Sequence, residues 1–324
     1  MENAVFDYYS NIAPKPVDWL WYPYIPFGKL TVIQGDPGEG KSTFALNLIS
    51  LMTRGAAMPD GFTPRHPYTA VYQCAEDGMA DTIKPRLEQA GADCSKVAYI
   101  ADNDAALTLE DDRIESTIRE TGAQIFIIDP IQAFIPPDSD MQSATKMRSI
   151  LRKLATTAER YNCAVILIGH MNKVSGAKTL YRGLGSIDIA AIARSVLMIS
   201  RDDTRPDLRY MYPIKSSLAP EGPAIAFSFK EGGGLEWQGR YCFNTAELIN
   251  SVTVKTSKRD RIRAKLVQLL ENSDRSAIEI YEGLEDIGVS NRTINTVKKE
   301  LQIRTYRSAG TWYWSLPKIR EEES

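Results

Sequence analysis

The sequence predicts an α/β fold: a mainly parallel sheet with flanking helices, followed by a small second domain of helices and a β-hairpin. Three observations carry that prediction. A β-branched, apolar run at 29–34 (KLTVIQ) passes through a glycine-rich turn into a helical pattern at 42–54 (STFALNLISLMTR). Further short apolar runs at 70–74 (AVYQC), 125–128 (IFII) and 164–169 (AVILIG) have the near-continuous hydrophobicity of strands buried on both faces. After Trp237 the pattern changes, and short helical stretches precede alternating residues at 303–316. The expected boundaries are 1–249 for the main core, 250–260 for a linker, 261–318 for the second domain and 319–324 for an acidic tail.

The bulk numbers narrow the class. A chain of 324 residues suits one large domain plus a small one. A hydrophobic content of 43% and a charged content of 25% are those of a soluble globular protein. The formal charge of −2 excludes an overall basic chain, so any basic surface is local. Cys74, Cys94, Cys163 and Cys242 form no CxxC pair, and with two histidines in the chain a zinc site is not expected. They read as reduced thiols of a cytoplasmic protein. The first residues lack a basic stretch followed by an apolar run, and no apolar run approaches ~18 residues, so neither a signal peptide nor a membrane span is expected.

In the first strand–helix unit, Phe44, Leu48, Leu51 and Met52 share a helix face, and Gly55 can end the helix. Between strand and helix lies Gly35-Asp36-Pro37-Gly38-Glu39-Gly40-Lys41-Ser42-Thr43, a P-loop in its required context. Its glycines let backbone N–H groups curl around phosphate oxygens, and the helix N-terminus adds partial positive charge. Lys41 is expected to reach the outer phosphates and Ser42 to place its hydroxyl on Mg2+. The metal also needs a carboxylate from a neighbouring strand, and Asp129 ends the run 125–129. Pro130 follows, so no second acid beside Asp129 can activate water.

Glu76 is the candidate base. It sits just past the run 70–74, at the strand end where open α/β sheets place their ligand crevice. Asp77 and Asp81 read as caps of the helix that carries Thr82 to Leu87. A fourth strand ends at His170, where a polar side chain can contact the outermost phosphate. His66, in PRHP, reads as exposed, and the aromatic run 19–27 (WLWYPYIPF) reads as core packing or as a strap.

In this order the residues resemble the RecA-like core of ring helicases, in particular the RepA type of plasmid and mobile-element replicative helicases. AEDGMADTIKPRL (75–87) resembles that family's catalytic-glutamate segment, and IFIIDPIQAFIP (125–136) its metal-acid strand. GHMNK (169–173) and YRGLGSIDIAAIARSVL (181–197) resemble its sensor strand and following loop. The likeness covers about residues 18 to 230. It implies a homo-hexamer with ATP and Mg2+ at subunit interfaces, and a cation supplied in trans. Arg194 and Lys215 share that expectation, with Arg182 third, while Arg86 can act within its own subunit. Lys215-Ser216-Ser217 stands where some relatives have Lys-x-Arg. Two loops are expected at the ring centre: 136–146, and 171–182 with Lys173, Lys178 and Arg182, whose spaced charge suits a phosphate backbone.

The second domain has its own punctuation. Ile262, Leu266 and Leu269 make one helix face. Ser276 with Glu279 forms a capping box for a second helix reaching Ile287. Ser290 caps a third at 291–301, with Ile294, Val297 and Leu301 inward and Asn291, Asn295 and Lys298 outward, flanked by Arg292 and Lys299. Two strands follow around 303–307 and 311–316, with Trp312, Trp314 and Leu316 on one face. The order resembles a winged helix, whose third helix enters a DNA groove and whose hairpin touches the backbone. Amides suit bases and the cations suit phosphates, while a protein-docking role fits the same residues.

Together these features predict an ATP-dependent ring helicase moving on single-stranded DNA in replication of a plasmid, phage or mobile element, its winged helix holding duplex DNA or a replication protein. Two rivals use the same residues. One is a RecA-like ATPase that does not unwind, such as a recombinase, a KaiC-like switch or a helicase loader. The other is an ATP-gated winged-helix regulator.

Overall fold

The apolar runs of the first unit pair side by side into one nine-stranded sheet. The computed structural model describes residues 6–101, 106–136, 144–170, 187–202, 205–230, 234–241, 258–270, 273–284, 291–308 and 310–316. They belong to two units, Met1–Asn244 and Thr245–Ser324.

The first unit opens with a two-stranded ribbon, β1 (Trp19–Trp21) and β2 (Ile25–Pro26). Its aromatics serve the core, with Trp21 buried against Tyr24 and Phe44. Strands and helices then alternate: β3 (Leu30–Gly35), α1 (Lys41–Arg54), β4 (Ala70–Cys74), α2 (Lys84–Gln89), β5 (Val97–Ala98), α3 (Asp112–Thr121), β6 (Ile125–Asp129), α4 (Ala144–Arg160), β7 (Ala164–His170), α5 (Ile187–Ile192) and β8 (Ser195–Arg201). A meander of β9 (Leu208–Ser216), β10 (Ala224–Phe229) and β11 (Leu235–Tyr241) closes the unit.

The spatial order is β11-β10-β9-β8-β3-β7-β6-β4-β5. From β8 to β5 neighbouring strands are parallel, as helical crossovers require, and from β8 to β11 they are antiparallel. Alternate side chains feed two separate cores. On β6, Ile125 and Ile127 join Phe44, Leu48 and Met52 of α1, whereas Phe126 and Ile128 join Ile114 of α3 and Leu151 of α4. Helix α1 meets its expected length, with Gly55 in the left-handed region at φ 65° as its cap. Leu51, expected inward, is half-buried.

The sheet brings the strand ends into register. Gly35 of β3 pairs with His170 of β7, and Cys74 of β4 pairs with Asp129 of β6. Every residue singled out at a strand end therefore lies along one edge of the parallel region. Among the described residues, no helix is long and apolar enough to cross a membrane.

The second unit holds α6 (Lys258–Leu270), β12 (Arg275–Ser276), α7 (Ala277–Gly283), α8 (Asn291–Glu300), β13 (Arg304–Ser308) and β14 (Thr311–Ser315), with sheet order β12-β14-β13. Ile262, Leu266, Leu270, Ile280, Ile294, Val297 and Trp314 form its core.

Three expectations change here. Helix α6 starts at Lys258, inside the expected linker, because the charged run KRDR has good helix formers and no breaker. Its third inward residue is Leu270, which continues the four-residue spacing of Ile262 and Leu266, and Leu269 is half-buried. Helix α7 keeps its Ser276–Glu279 capping box but ends at Gly283 rather than Ile287. The short strand β12 was not read from the sequence; it pairs Arg275 and Ser276 with Trp314 and Tyr313. Residues 250–257, Ser290 and the acidic tail lie outside the described residues.

Candidate active site

The loop between β3 and α1 is shaped by its glycines. Gly40 is the N-cap of α1 at φ 87°, in the left-handed region, and a side chain there would run into the Phe229 ring at the end of β10. Gly38, at φ 80°, faces open space. A cavity of about 650 Å3 opens over this loop, within the size range of small-molecule sites. Pro37, Gly38, Gly40, Lys41, Ser42 and Thr43 line its floor, and Glu76, Arg86 and His170 stand on its wall with Phe229.

Lys41 is 4% exposed, and its ammonium donates to the carbonyl oxygens of Gly35 and Asp36 at 2.9 Å each. Burial lowers its pKa, and Asp129, Glu39, Asp36 and Glu76 oppose that shift. A buried ammonium faced by carboxylates and bonded to loop carbonyls is poised to exchange those oxygens for phosphate oxygens.

Asp129, 3% exposed, has its carboxyl pKa raised by burial, with hydrogen bonds from Tyr72 and Ser42 and the charge of Lys41 pulling the other way. The Tyr72 hydroxyl donates to Oδ2 at 2.7 Å. The pairing of the Ser42 hydroxyl with this carboxylate brings together two oxygen ligands of the kind Mg2+ takes. Ser42 and Asp129 thus fit the ion, which when bound spreads the negative charge of the phosphate oxygens.

Tyr72 had no role in the sequence reading. Its place inside a strand gave no signal beyond core packing. It orients Asp129 from behind, so Tyr72→Phe is expected to weaken Mg2+ binding by about 10–100-fold while keeping the fold. Metal titration of ATP turnover checks this, and an unchanged Mg2+ dependence would make the hydroxyl a packing detail.

Glu76 and His170 come together. Oε1 of Glu76 lies 3.7 Å from Nε2 of His170. The carbonyl oxygen of His170 accepts a hydrogen bond from Gln132 Nε2 at 3.3 Å, tying β7 to the turn after Asp129. Just beyond Glu76, residues Met79–Ile83 form a π-helical turn. Pro85 cannot donate to the carbonyl of residue 81, and the wider turn accommodates that loss. Asp77, expected as a helix cap, instead pairs with Arg86 at 2.8 Å. That ion pair holds Arg86 at the cavity wall.

The remaining cations are placed differently. Lys215 donates to the carbonyls of Ala190, Ala191 and Ala193 at 2.8, 3.0 and 2.7 Å, gripping the C-terminal end of α5. Burial and the charge of Arg194 lower its pKa. Arg194 is exposed. Lys173, Lys178 and Arg182 lie outside the described residues, as do the side chains of Asn291 and Arg292. In the second unit Asn295 and Lys299 are exposed on α8. Lys298, expected outward, lies with its ammonium 3.8 Å from the Trp314 ring centroid, because the long stem packs on the hairpin. His66 is exposed, as expected.

A support for the loop was also missed. Glu39, whose pKa burial raises, faces Arg201 at 3.9 Å. Arg209 stacks 4.1 Å from the Phe229 centroid, and Phe229 abuts Gly40. The antiparallel edge of the sheet thereby braces the phosphate loop. Residues 160 or more positions apart in sequence carry this contact, so no local pattern announced it.

A P-loop strand lodged between β7 and β8, with Asp129 one strand further and Glu76 another beyond, defines a RecA-like P-loop ATPase. The chain belongs to the AAA domain family AAA_25, which matches residues 2–176. It is 30% identical to DNA repair protein RadA of Streptococcus pneumoniae over 149 residues, 45% of this chain and 31% of that protein. It is 21% identical to DNA repair protein RadA of Chlamydia muridarum over 269 residues, 82% of this chain and 51% of that protein. The chain thus spans about half or less of the length of these curated relatives. Among solved structures, the ATPase domain of G40P matches with a TM-score of 0.48 and 17% identity, over 63% of this chain and 82% of that one. The RadB recombinase matches with a TM-score of 0.45 and 20% identity, over 66% and 91%.

Proposed function

We propose that the protein is a ring-forming motor, of the hexameric replicative-helicase kind, that hydrolyses ATP between subunits to move on single-stranded DNA. The observation that carries this reading is the meeting of Glu76 and His170 at 3.7 Å over the phosphate loop. Glu76 is placed to take a proton from the attacking water. His170 is the last residue of β7, and Lys173, Lys178 and Arg182 follow it within twelve positions of the sequence. Helix α5 is fastened by Lys215 to β9. Of the cations proposed to act in trans, Arg194 is exposed, whereas Lys215 must first release three carbonyls. This favours Arg194. The second unit, whose described residues form three helices and a hairpin, is proposed to be a winged helix that holds duplex DNA or a replication protein.

Strand displacement on a forked duplex tests the motor. Single-stranded DNA is expected to stimulate ATP turnover, and the fork to open only with ATP and Mg2+. Stimulated turnover without displacement would overturn the motor and leave a recombinase-like ATPase. The likeness to DNA repair protein RadA favours that second reading.

A further inference from the structure

The second unit presents a surface that the helical pattern did not indicate. On α8, Lys298 is already engaged with Trp314, and Glu300 pairs with Arg263 at 2.7 Å. The hairpin of β13 and β14 is different. Between Ile303 and Leu316 it carries two arginines and no acid. Trp314 supplies the hairpin's share of the core at 3% exposure, whereas Trp312, two residues earlier on the same face, is 53% exposed. The register places Arg307 directly opposite Trp312 and Tyr306 opposite Tyr313. Nε of Arg307 donates to the Gly310 carbonyl at 3.2 Å, which keeps the guanidinium at the tip beside the indole. Tyr306, 42% exposed, stacks on Tyr313 with centroids 5.7 Å apart and planes 18° apart, and its hydroxyl donates to Asp274 at 2.8 Å. Arg304 is exposed and, by the alternation of β13, lies with Tyr306 on the face opposite Arg307 and Trp312.

We propose that this hairpin is a single-stranded nucleic-acid site, in which Trp312 stacks on a base while Arg307, on the same face, contacts a phosphate. An exposed indole beside a guanidinium, with no acid on the ribbon, complements a polyanion whose bases offer π faces. Duplex DNA hides those faces within its stack, so an exposed indole finds its partner on an unpaired base. The site goes beyond the motor reading and does not depend on it, since it needs neither ATP nor a ring.

The test uses the full chain without nucleotide. Oligo-dT and oligo-U of equal length, and a duplex, are titrated by fluorescence anisotropy. Oligo-dT carrying 5-iodouracil is photo-cross-linked and the adduct mapped. Tighter binding of single strands than duplex is expected, with adducts within residues 303–316, and the tighter of the two homopolymers names the preferred sugar. Trp312→Ala is expected to weaken single-strand binding about tenfold, and Trp312→Phe to restore most of it. Arg307→Ala is expected to flatten the salt dependence. Trp312 is exposed, so its loss leaves the core intact, and circular dichroism confirms that. Unchanged affinity in Trp312→Ala, adducts confined to other segments, or preference for duplex would each overturn the proposal. Fork opening plays no part in the readout, so failure of the motor reading is distinguishable from failure of this one.

Discussion

Replacing Glu76 by glutamine is expected to lower ATP turnover by about 10²–10⁴-fold while leaving nucleotide affinity unchanged. Glutamine keeps the length and polarity of the side chain at the end of β4 but cannot accept a proton from water. The residue does not support the fold: its side chain is 63% exposed and its near neighbour is His170 at 3.7 Å, a contact an amide can keep. Asp129 cannot substitute, because it is buried beneath the loop and already engaged by Tyr72 and Ser42. Single-turnover phosphate release, paired with titration of a fluorescent ATP analogue, separates chemistry from binding. Turnover within about twofold of the parent would move the base elsewhere.

Lys41→Ala is expected to lose both binding and chemistry, with turnover falling by at least about 10²–10³-fold, the scale for removing one donor from a preorganised charge-stabilising site. Without its ammonium, the carbonyls of Gly35 and Asp36 lose their donor, and Asp129, Asp36 and Glu39 lose the positive charge that offsets them. A second readout makes this independent of catalysis. Nucleotide with Mg2+ at a hundredfold its dissociation constant stabilises the parent by about 2.7 kcal/mol. That thermal shift, measured from the variant's own melting temperature without nucleotide, should vanish in Lys41→Ala. A retained shift would mean that phosphates bind somewhere other than this loop.

Much of this site was legible in the chain order. The strands 70–74, 125–129 and 164–170, the helix ending at Gly55 and the loop 35–43 follow from short-range chemistry: buried parallel strands are continuously apolar, and a phosphate loop needs glycine where φ is positive. The Ser276–Glu279 box is equally local. Errors gathered where the signal is weak, at the start of α6 and the end of α7, since charged helix formers and a single glycine leave boundaries loosely specified.

The sequence by itself determined which strands exist, where the phosphate loop lies and which acids and bases stand at strand ends. Only the tertiary structure decided that Glu76 meets His170, that Tyr72 secures Asp129, that Phe229 and Arg209 brace Gly40, and that Lys298 turns onto Trp314. The physical reason is register. Periodicity gives each strand two faces and a direction, but the pairing of Gly35 with His170 and of Cys74 with Asp129 is fixed by packing between segments far apart in the chain.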